Sequence, residues 1–470
     1  NAFNGCNSAK FGELNISTTV KSLGNYAFAN CNGLTSVTVP GTVKTIGNYA
    51  FSGCTSLKTA VIKNGVESIG VRTFSDCTAL ESLTLPYAGL SESKIEENSY
   101  PLYANLFNYS TVEGTYNAGS YGIPEKLTSI TITGGTRIPN SAFYGMSSLK
   151  TINIPNTITS IGDYAFYGCS SMESSTLPSE LTYIGNYAFY GCNSAKFGAL
   201  TIPNTVTSIG KYAFENCTVI TSVTVPGSVK TIGQYAFSFA SLSSIEIPAS
   251  VTFLGEAFVS RIPGLKKITV AEGNTCCKFV NDALYNADMT LFYMVLPGNN
   301  NIEIAETVTR IGNHAIESTE LETLVIPDNV REIGIQAIID NPNLKTVVIG
   351  SGVEETGIMA LDENQSLEAI YLRRETPAEI QEDLFEDEYY DKVTLYVPTG
   401  TKEAYAIAPY WGKFKTIEEF TPTDLRHVNF KTECAGEQVY GVDGSRRATL
   451  RRGLNILRSK GETRKVIFPY

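Results

Sequence analysis

The chain has 470 residues, of which 43% are hydrophobic and 18% are charged, a composition typical of folded globular proteins. Its net charge of −11 argues against a general nucleic-acid-binding function. No stretch approaches the 18 or more apolar residues that a membrane-spanning helix needs. The charge is uneven, since residues 421–470 carry a net +5 and leave −16 on residues 1–420, and this shift predicts a domain boundary.

One sequence unit recurs about every 23 residues and accounts for most of the chain. Its form is Leu-x-x-Val-x-Val-Pro-x-x-Val-x-x-Ile-Gly-x-Tyr-Ala-Phe-x-x-Cys. Self-similarity at this period predicts a solenoid in which each unit forms one coil. We expect about fourteen to sixteen coils, which at about 4.8 Å per coil gives a length of about 70 Å. The glycines that follow the Ile are Gly24, Gly47, Gly70, Gly162, Gly185, Gly210, Gly233, Gly255, Gly312, Gly334 and Gly357.

The physical chemistry of one unit explains its pattern. Residues 34–40 form a short β-branched run with alternating inward side chains, and Pro40 ends it because proline cannot continue a ladder. Ile46 belongs to a second short apolar segment, and Gly47 permits a tight corner. Residues 49–51 are predicted as a helical turn that places Phe51 in the interior. A single unit cannot bury these residues, so stacking must turn each position into a continuous ladder.

Seven cysteines share the last position of the unit, and we predict that they are free, buried thiols. The position holds Met146, Ala240, Asn341 and Asn364 in other units, which indicates a small packing site. Disulfides between coils are the alternative, but parallel side chains on neighbouring coils pair poorly. The spacing also differs from the closely spaced pairs of a zinc site. The seven are Cys6, Cys31, Cys54, Cys77, Cys169, Cys192 and Cys217.

Two insertions interrupt the array, at residues 87–124 and 271–301. The first is rich in Tyr, Asn, Ser and Gly, the composition of adaptable recognition surfaces. It predicts either an enlarged coil whose aromatic side chains pack on the solenoid or a binding loop. In the second insertion, residues 283–293 predict two short strands in a hairpin. The candidate binding residues of the first insertion are Tyr100, Tyr103, Tyr109, Tyr116 and Tyr121.

The outward position of the first strand holds threonine through most of the array and changes near its C-terminal end to Val325, Val348 and Tyr371. Stacked threonine makes a solvated sheet surface that needs no function. An apolar patch on such a face indicates contact, either with a partner or with the end of the chain itself. We therefore count Val325, Val348 and Tyr371 as candidate partner-binding residues, with coverage by the chain as an equal alternative.

The sequence predicts no catalytic, cofactor or metal site. His314 occupies the Tyr position of its unit and is predicted to be half exposed, and His427 has no partner at motif spacing. The acidic run 379–391 could hold calcium, but a solvated coil is the preferred interpretation. Trp411 is predicted to pack in a core. The tail arginines Arg446, Arg447, Arg451 and Arg452 could contact anionic surfaces, although a solvated face is the safer interpretation.

The strings at residues 45–59 and 160–171, with their Ile-Gly-x-Tyr-Ala-Phe-x-x-Cys core, resemble the BspA-type leucine-rich repeat of bacterial surface proteins. The resemblance implies a curved, right-handed repeat array without catalytic residues. Within this family, the chain is similar to surface proteins of gut Bacteroidetes. The resemblance divides the chain into repeats at 1–391, a cap at 392–420 and a small β-rich tail at 421–470.

The function that the resemblance implies is adhesion or partner recognition at the outer cell surface or outside the cell. We expect a monomer that binds a protein or glycan partner, with host extracellular matrix as a candidate, and no nucleic acid. A structural spacer that displays another module is the alternative. Any signal peptide or anchor is expected to lie outside this sequence, because the chain opens within a repeat.

Overall fold

The computed structural model shows a parallel β-solenoid of about 16 turns with few helices, which confirms the predicted repeat array. The structure describes residues 3–6, 12–88, 106–107, 123–173, 176–378, 380, 384–385 and 387–421. It also describes the backbone of four strands between residues 438 and 468. Each coil has two short strands on different sides and one turn, and stacking pairs each strand with its equivalent in the next coil.

The first strand of each coil forms what we call the strand face. Its strands pair in parallel and in register, so that Val37 lies beside Ala60 and Thr38 beside Val61. Inward and outward side chains alternate because successive residues of a strand point to opposite sides. These strands are Glu13–Asn15, Ser36–Val39, Thr59–Ile62, Ser82–Leu85, Ser129–Ile132, Thr151–Asn153, Ala199–Thr201, Ser222–Thr224, Ser244–Ile247, Lys267–Val270, Thr323–Val325, Thr346–Ile349, Ala369–Leu372, Thr394–Pro398 and Thr416–Phe420.

The second strand of each coil has only two residues, and the glycine that follows it makes the corner. A Cβ on Gly47 would lie 2.5 Å from the backbone nitrogen of Asn25, so only glycine allows the coils to approach this closely. These strands are Ser22–Leu23, Thr45–Ile46, Ser68–Ile69, Arg137–Ile138, Ser160–Ile161, Tyr183–Ile184, Ser208–Ile209, Thr231–Ile232, Phe253–Leu254, Arg310–Ile311, Glu332–Ile333 and Glu355–Thr356.

The Tyr-Ala-Phe segment forms what we call the turn edge. In the first complete coil, the N–H of Ala27 donates to Gly24 and the N–H of Ala29 donates to Tyr26, each at 3.3 Å. Tyr26 adopts φ +56°, so the segment predicted as a helical turn is two successive turns around a left-handed residue. Two further short strands lie on this edge, at Ile316–Glu317 and Ile338–Ile339.

The interior is built from side-chain ladders. Phe166 is fully buried, and its ring stacks on Phe143 and Phe189 with centroids 5.1 Å away on both sides. In the C-terminal coils the same position changes to Ile316, Ile338 and Leu361. Burial of apolar side chains supplies most of the stabilisation of such a fold. The buried apolar side chains form two clusters, which meet at the second insertion.

The cysteine position has a second function besides packing, namely hydrogen bonding. The thiol of Cys54 donates to the carbonyl oxygen of Phe28 in the preceding coil at an S···O distance of 3.2 Å. Cys31, Cys77, Cys169, Cys192 and Cys217 make the same contact with the equivalent carbonyl. These cysteines are all free, as predicted. The thiols thus add a hydrogen bond between neighbouring coils, on carbonyl groups most of which also accept the backbone N–H three residues later in their own coil.

Thiol labelling tests this arrangement. Burial raises the pKa of Cys169 to about 12, whereas a hydrogen bond from Cys277 lowers the pKa of the half-buried Cys276. Because thiolate is the reactive form, we expect an alkylating reagent to modify Cys276 about 100-fold faster than Cys169 in the native protein. Peptide mass spectrometry after timed labelling measures both rates, and labelling in urea is the control. Equal native rates would show that Cys169 is not enclosed.

The predicted hairpin of the second insertion is confirmed, because Ala283–Asn286 pairs antiparallel with Leu291–Val295. A third strand, Cys277–Val280, pairs antiparallel with Ala283–Asn286. Leu291–Val295 then pairs in parallel with Arg310–Ile311 and so continues the stack of second strands. The hairpin therefore occupies the place of a coil between the N-terminal and C-terminal parts of the array.

The last described coils carry the two helices α1, Asp387–Lys392, and α2, Lys402–Ile407, within the described part of the chain. Thr394–Pro398 and Thr416–Phe420 extend the parallel strand face beyond the regular repeats. Trp411 is buried and its indole N–H donates to Ala378, which confirms its predicted place in the core. Short 3₁₀ turns lie at Ala195–Phe197 and Trp411–Lys413.

The tail strands are Gln438–Gly441, Arg446–Arg447, Gly453–Ser459 and Glu462–Phe468, joined in one antiparallel sheet.

Candidate functional site

The structure brings the three apolar strand-face residues together. Val325 lies beside Val348, and Val348 lies beside Tyr371, in one outward ladder. The ladder continues to Tyr396, whose ring stacks on Tyr371 with centroids 4.4 Å apart. Sequence reasoning missed Tyr396, although Leu395-Tyr396-Val397 repeats the alternation of the earlier strands. These four side chains form what we call the apolar ladder.

The apolar ladder is partly covered. Val348 is only 3% exposed, whereas Val325 and Tyr371 are half buried. Phe420, at the end of the last parallel strand, contacts the Tyr371 ring edge-on with centroids 5.4 Å apart. Burial is also the main reason that the pKa of Tyr371 is raised. Phe420 therefore covers part of the ladder, while Val325 and Tyr371 stay partly accessible.

The five candidate tyrosines of the first insertion, Tyr100, Tyr103, Tyr109, Tyr116 and Tyr121, lie outside the described residues. Described residues of the insertion, at its start and in its middle, pack on the solenoid. Tyr87 and Phe107 are buried, and the N–H of Phe74 donates to the carbonyl of Leu106 at 2.8 Å. At these positions, the insertion contributes to the core.

The prediction for His314 is wrong, because this side chain is buried with 8% exposure. The insertion brings Tyr235 edge-on against the His314 ring, with centroids 5.5 Å apart. Burial, with Arg261 as the next cause, lowers the pKa of His314 to about 4, so the ring is neutral at physiological pH. Its Nδ1 lies 3.8 Å from a carboxylate oxygen of Glu317.

Two sets of ion pairs link the coils on either side of the hairpin. The backbone N–H of Arg261 donates to Glu317 at 3.0 Å, and its guanidinium makes two contacts with Glu363 at 2.6 and 3.1 Å. Burial raises the pKa of Glu317 to about 7. Nearby, Arg310 binds both Glu256 and Glu332. The charges are paired within the chain, which is typical of a structural junction.

A pocket of about 550 Å³ beside this junction is acidic, with Asp340, Asp362, Glu363 and Glu388 in its lining. Within the described residues, no group of three or more His, Cys, Asp or Glu side chains is arranged to hold a metal ion. In the acidic run 379–391, Leu384 and Phe385 are buried, as expected for a degenerate coil. Leu384 and Phe385 therefore contribute to the hydrophobic core.

The turn edge carries two rows of stacked tyrosines that sequence reasoning treated only as part of the repeat. Rings in the first row have centroids 4.4–4.9 Å apart, and those in the second are 4.5–4.8 Å apart. The rows are tilted toward each other, for example by 49° between Tyr187 and Tyr190. We call them the tyrosine edge: Tyr164, Tyr187, Tyr212 and Tyr235 in the first row, and Tyr144, Tyr167 and Tyr190 in the second.

The family model of the BspA type leucine-rich repeat region (6 copies) matches residues 1–112, 118–197, 193–299 and 290–399. The chain belongs to this family. The BspA-type array thus covers most of the chain, and its regular positions are those of the ladders described above. No curated protein matches the chain.

The chain is similar to several solved structures, among them two bacterial leucine-rich proteins. A leucine-rich cell surface protein of Faecalibacterium prausnitzii A2-165 is 21% identical, with 91% of this chain and 92% of that one covered and a TM-score of 0.42. A leucine-rich repeat protein of Bacteroides ovatus ATCC 8483 is 23% identical, with 79% and 92% covered and a TM-score of 0.44. The pneumococcal vaccine antigen PcpA is 14% identical, with 89% and 90% covered and a TM-score of 0.33. Among the described residues, no helix combines the length and apolar character needed to cross a membrane.

Proposed function

We propose that this protein is a recognition protein of the outer cell surface or the extracellular space, which binds a protein or glycan partner and catalyses no reaction. The observation that supports the proposal most is the apolar ladder on a strand face whose other outward positions are mostly polar. Val325 and Tyr371 remain partly accessible there, while the equivalent positions earlier in the array are mostly threonine. Exposed apolar residues grouped on one face are typical of contact surfaces.

The partner class follows from the chemistry of the surface. Tyr371 and Tyr396 offer stacked aromatic rings with hydroxyl groups, and Val325 adds methyl groups two strands away, beyond Val348. Tyrosine supplies contact area and hydrogen bonding at low entropic cost, which suits both proteins and glycans. Host extracellular matrix is one candidate source of such partners, and the first insertion is the second candidate contact region. We propose that the protein is a monomer and that its partner is not a nucleic acid.

A structural spacer is the second candidate function, and the coverage of the apolar ladder favours it. Val348 is buried, and Phe420 already contacts Tyr371. If the chain itself is the only partner of this ladder, the array would separate another module from the surface without a ligand of its own.

The experiment is a binding screen of the purified chain against immobilised extracellular-matrix proteins and glycans. The double variant Val325→Thr, Tyr371→Thr places at both positions the threonine that most other coils have. We expect it to weaken binding of any partner found in the screen by about tenfold or more. Thr131→Val, on the same face but far along the array, is the control. A version lacking residues 88–123 tests the first insertion.

The outcomes separate the candidate functions. Binding that neither the double variant nor the deletion weakens would contradict both proposed contact regions. No binding to any member of the panel would favour the spacer. Thermal unfolding of each variant shows whether a loss of binding reflects a loss of folding.

A further inference from the structure

Glu215 interrupts the second row of the tyrosine edge. Tyr144, Tyr167 and Tyr190 each follow a ladder phenylalanine, and the residue at the same position in the next coil is Glu215. The N–H of Gly191 donates to the carbonyl of Glu215 at 3.0 Å, which places Glu215 one coil beyond Tyr190. The row of rings therefore ends in a carboxylate.

Within the described part of the chain, Tyr190 has a stacked ring on only one of its two faces, and Glu215 follows it on the other side. Tyr167 covers the first face, with centroids 4.5 Å apart and planes 4° from parallel. Among the described residues, no aromatic ring stacks on the second face. The next side chain in the row after Glu215 is the small, buried Ser238, so the second row has no large side chain in that coil. Tyr212 and Tyr235 of the first row lie alongside, and Glu215 acts electrostatically on both.

Glu215 lacks the cation that its neighbours on this edge have. Arg310 pairs with Glu256, and Arg261 pairs with both Glu317 and Glu363. Within the described part of the chain, no lysine or arginine pairs with Glu215, although its side chain is half buried. Burial alone raises the pKa of Glu215 to about 7. A partly desolvated carboxylate without a counter-charge is stabilised when a cation binds beside it.

The N-terminal part of the turn edge already holds a cation against stacked tyrosines. In the N-terminal coils, Tyr26 and Tyr49 stack in the same way, and the next residue in that row is Arg72. The Arg72 guanidinium lies 5.8 Å from the centre of the Tyr49 ring and donates to the Tyr49 hydroxyl at 3.1 Å. A guanidinium over the end of a tyrosine stack is thus a contact that this edge already makes.

The bulky apolar residue Phe239 lies in the coil that follows Glu215. Phe239 is 43% exposed and adopts φ +59°, a left-handed conformation that is unfavourable for a bulky residue. It lies one coil beyond Asn216, the residue after Glu215, since the N–H of Asn216 donates to Ser238. Equivalent positions in earlier coils include Gly168 and Gly191. Phe239 therefore adds apolar surface where the aliphatic stem of a cationic side chain could pack.

We propose that Glu215, with Tyr190, Tyr212 and Tyr235 around it, is a binding site for a guanidinium or alkylammonium group. The carboxylate supplies the counter-charge, and the Tyr190 ring supplies a cation–π contact. The site lies on the turn edge and not on the strand face, so it is separate from the apolar ladder. The group can belong to an arginine-containing segment of a protein or to a small free compound.

The test is calorimetric titration of the full chain with two probes, an acetylated and amidated tetra-arginine peptide and free L-argininamide. We expect Glu215→Gln to weaken binding of the peptide by about tenfold, because a charge-assisted contact is lost. Glu180→Gln, which removes an exposed carboxylate, is the control, and both variants are compared at pH 8, where Glu215 is mostly ionised. Equal losses in the two variants would overturn the proposal, since only net charge would then matter. Binding of both probes indicates that a small compound suffices, and binding of the peptide alone indicates a protein segment.

A ring variant and pH dependence provide independent checks. Tyr190→Leu is expected to weaken peptide binding about fivefold, whereas Tyr190→Phe keeps the ring face and should bind almost as well as the original chain. Affinity should rise several-fold between pH 6 and 8 in the original chain as Glu215 ionises, and should stay flat in Glu215→Gln. Normal thermal unfolding of each variant confirms that it is folded. Absence of peptide binding by the original chain, or a pH response that survives Glu215→Gln, would overturn the site.

Discussion

Replacement of Phe166 by alanine is expected to lower the free energy of unfolding by about 3–5 kcal/mol. Phe166 is fully buried between Phe143 and Phe189, and its ring stacks on both. The variant leaves a cavity that the neighbouring coils cannot fill, because the ladder spacing is fixed by strand pairing. It also removes two aromatic contacts, worth about 0.5–1.5 kcal/mol each beyond their buried area.

Urea unfolding followed by far-ultraviolet circular dichroism measures this loss. Phe253→Ala is the matched control, because Phe253 is the same residue type at 55% exposure in a short strand of the array. We expect that control to stay within about 1 kcal/mol of the original chain. A Phe166→Ala midpoint no lower than that of Phe253→Ala would contradict a continuous phenylalanine core.

The ladders could be predicted from the sequence because each depends on a single period. Once Phe51 is assigned to the interior, stacking places Phe166 there too, whereas Phe3 in the first coil is covered on one side only and is 50% exposed. The same reasoning placed Val325, Val348 and Tyr371 side by side, as the register confirms. In a solenoid, contacts between equivalent positions follow from alignment of the repeats alone.

The role of the cysteine position could not be predicted in the same way. The variety of residues there indicated a packing site, but the carbonyl that the thiol contacts belongs to a different position of the preceding coil. Asn341 and Asn364, which replace cysteine in later coils, donate to the carbonyls of Ile316 and Ile338 at 3.0 and 2.7 Å. A buried Asn in a cysteine position was the available signal, since a buried amide requires hydrogen-bond partners.

His314 and Glu215 show a second limit, since their surroundings depend on more than the regular stacking. The repeat assigned His314 to the Tyr position, which is half exposed in regular coils. The hairpin insertion changes that environment, because it lets Arg261 reach Glu317, a residue 56 positions later. Glu215 could not be identified from the sequence, because the lack of a paired cation becomes visible only beside the ion pairs of Glu256, Glu317 and Glu363. Such features arise where the array departs from its own pattern.

Replacement of Arg261 by alanine is expected to destabilise the array by about 3 kcal/mol at pH 8 and by much less at pH 5. The variant leaves Glu317 buried without its cation, and it also frees Glu363. The exposed pair Lys44–Glu67 provides the control, since Lys44→Ala should cost less than about 1 kcal/mol at both pH values. Urea midpoints at pH 5, 6, 7 and 8 measure the difference.

The sign of the pH dependence follows from the two buried groups. The pKa of Glu317 is raised to about 7 and must rise further without Arg261, so folding is favoured at low pH, where this carboxyl is protonated, and is disfavoured as pH rises. His314 has a lowered pKa, which makes the fold less stable as pH falls from about 6.5 toward 4. Arg261 contributes to that lowering, so its removal relieves the low-pH cost as well. Both effects make the loss in Arg261→Ala larger at pH 8 than at pH 5. A loss that is equal at the two pH values would mean that Glu317 keeps the same charge in both states, and that the junction is held by packing alone.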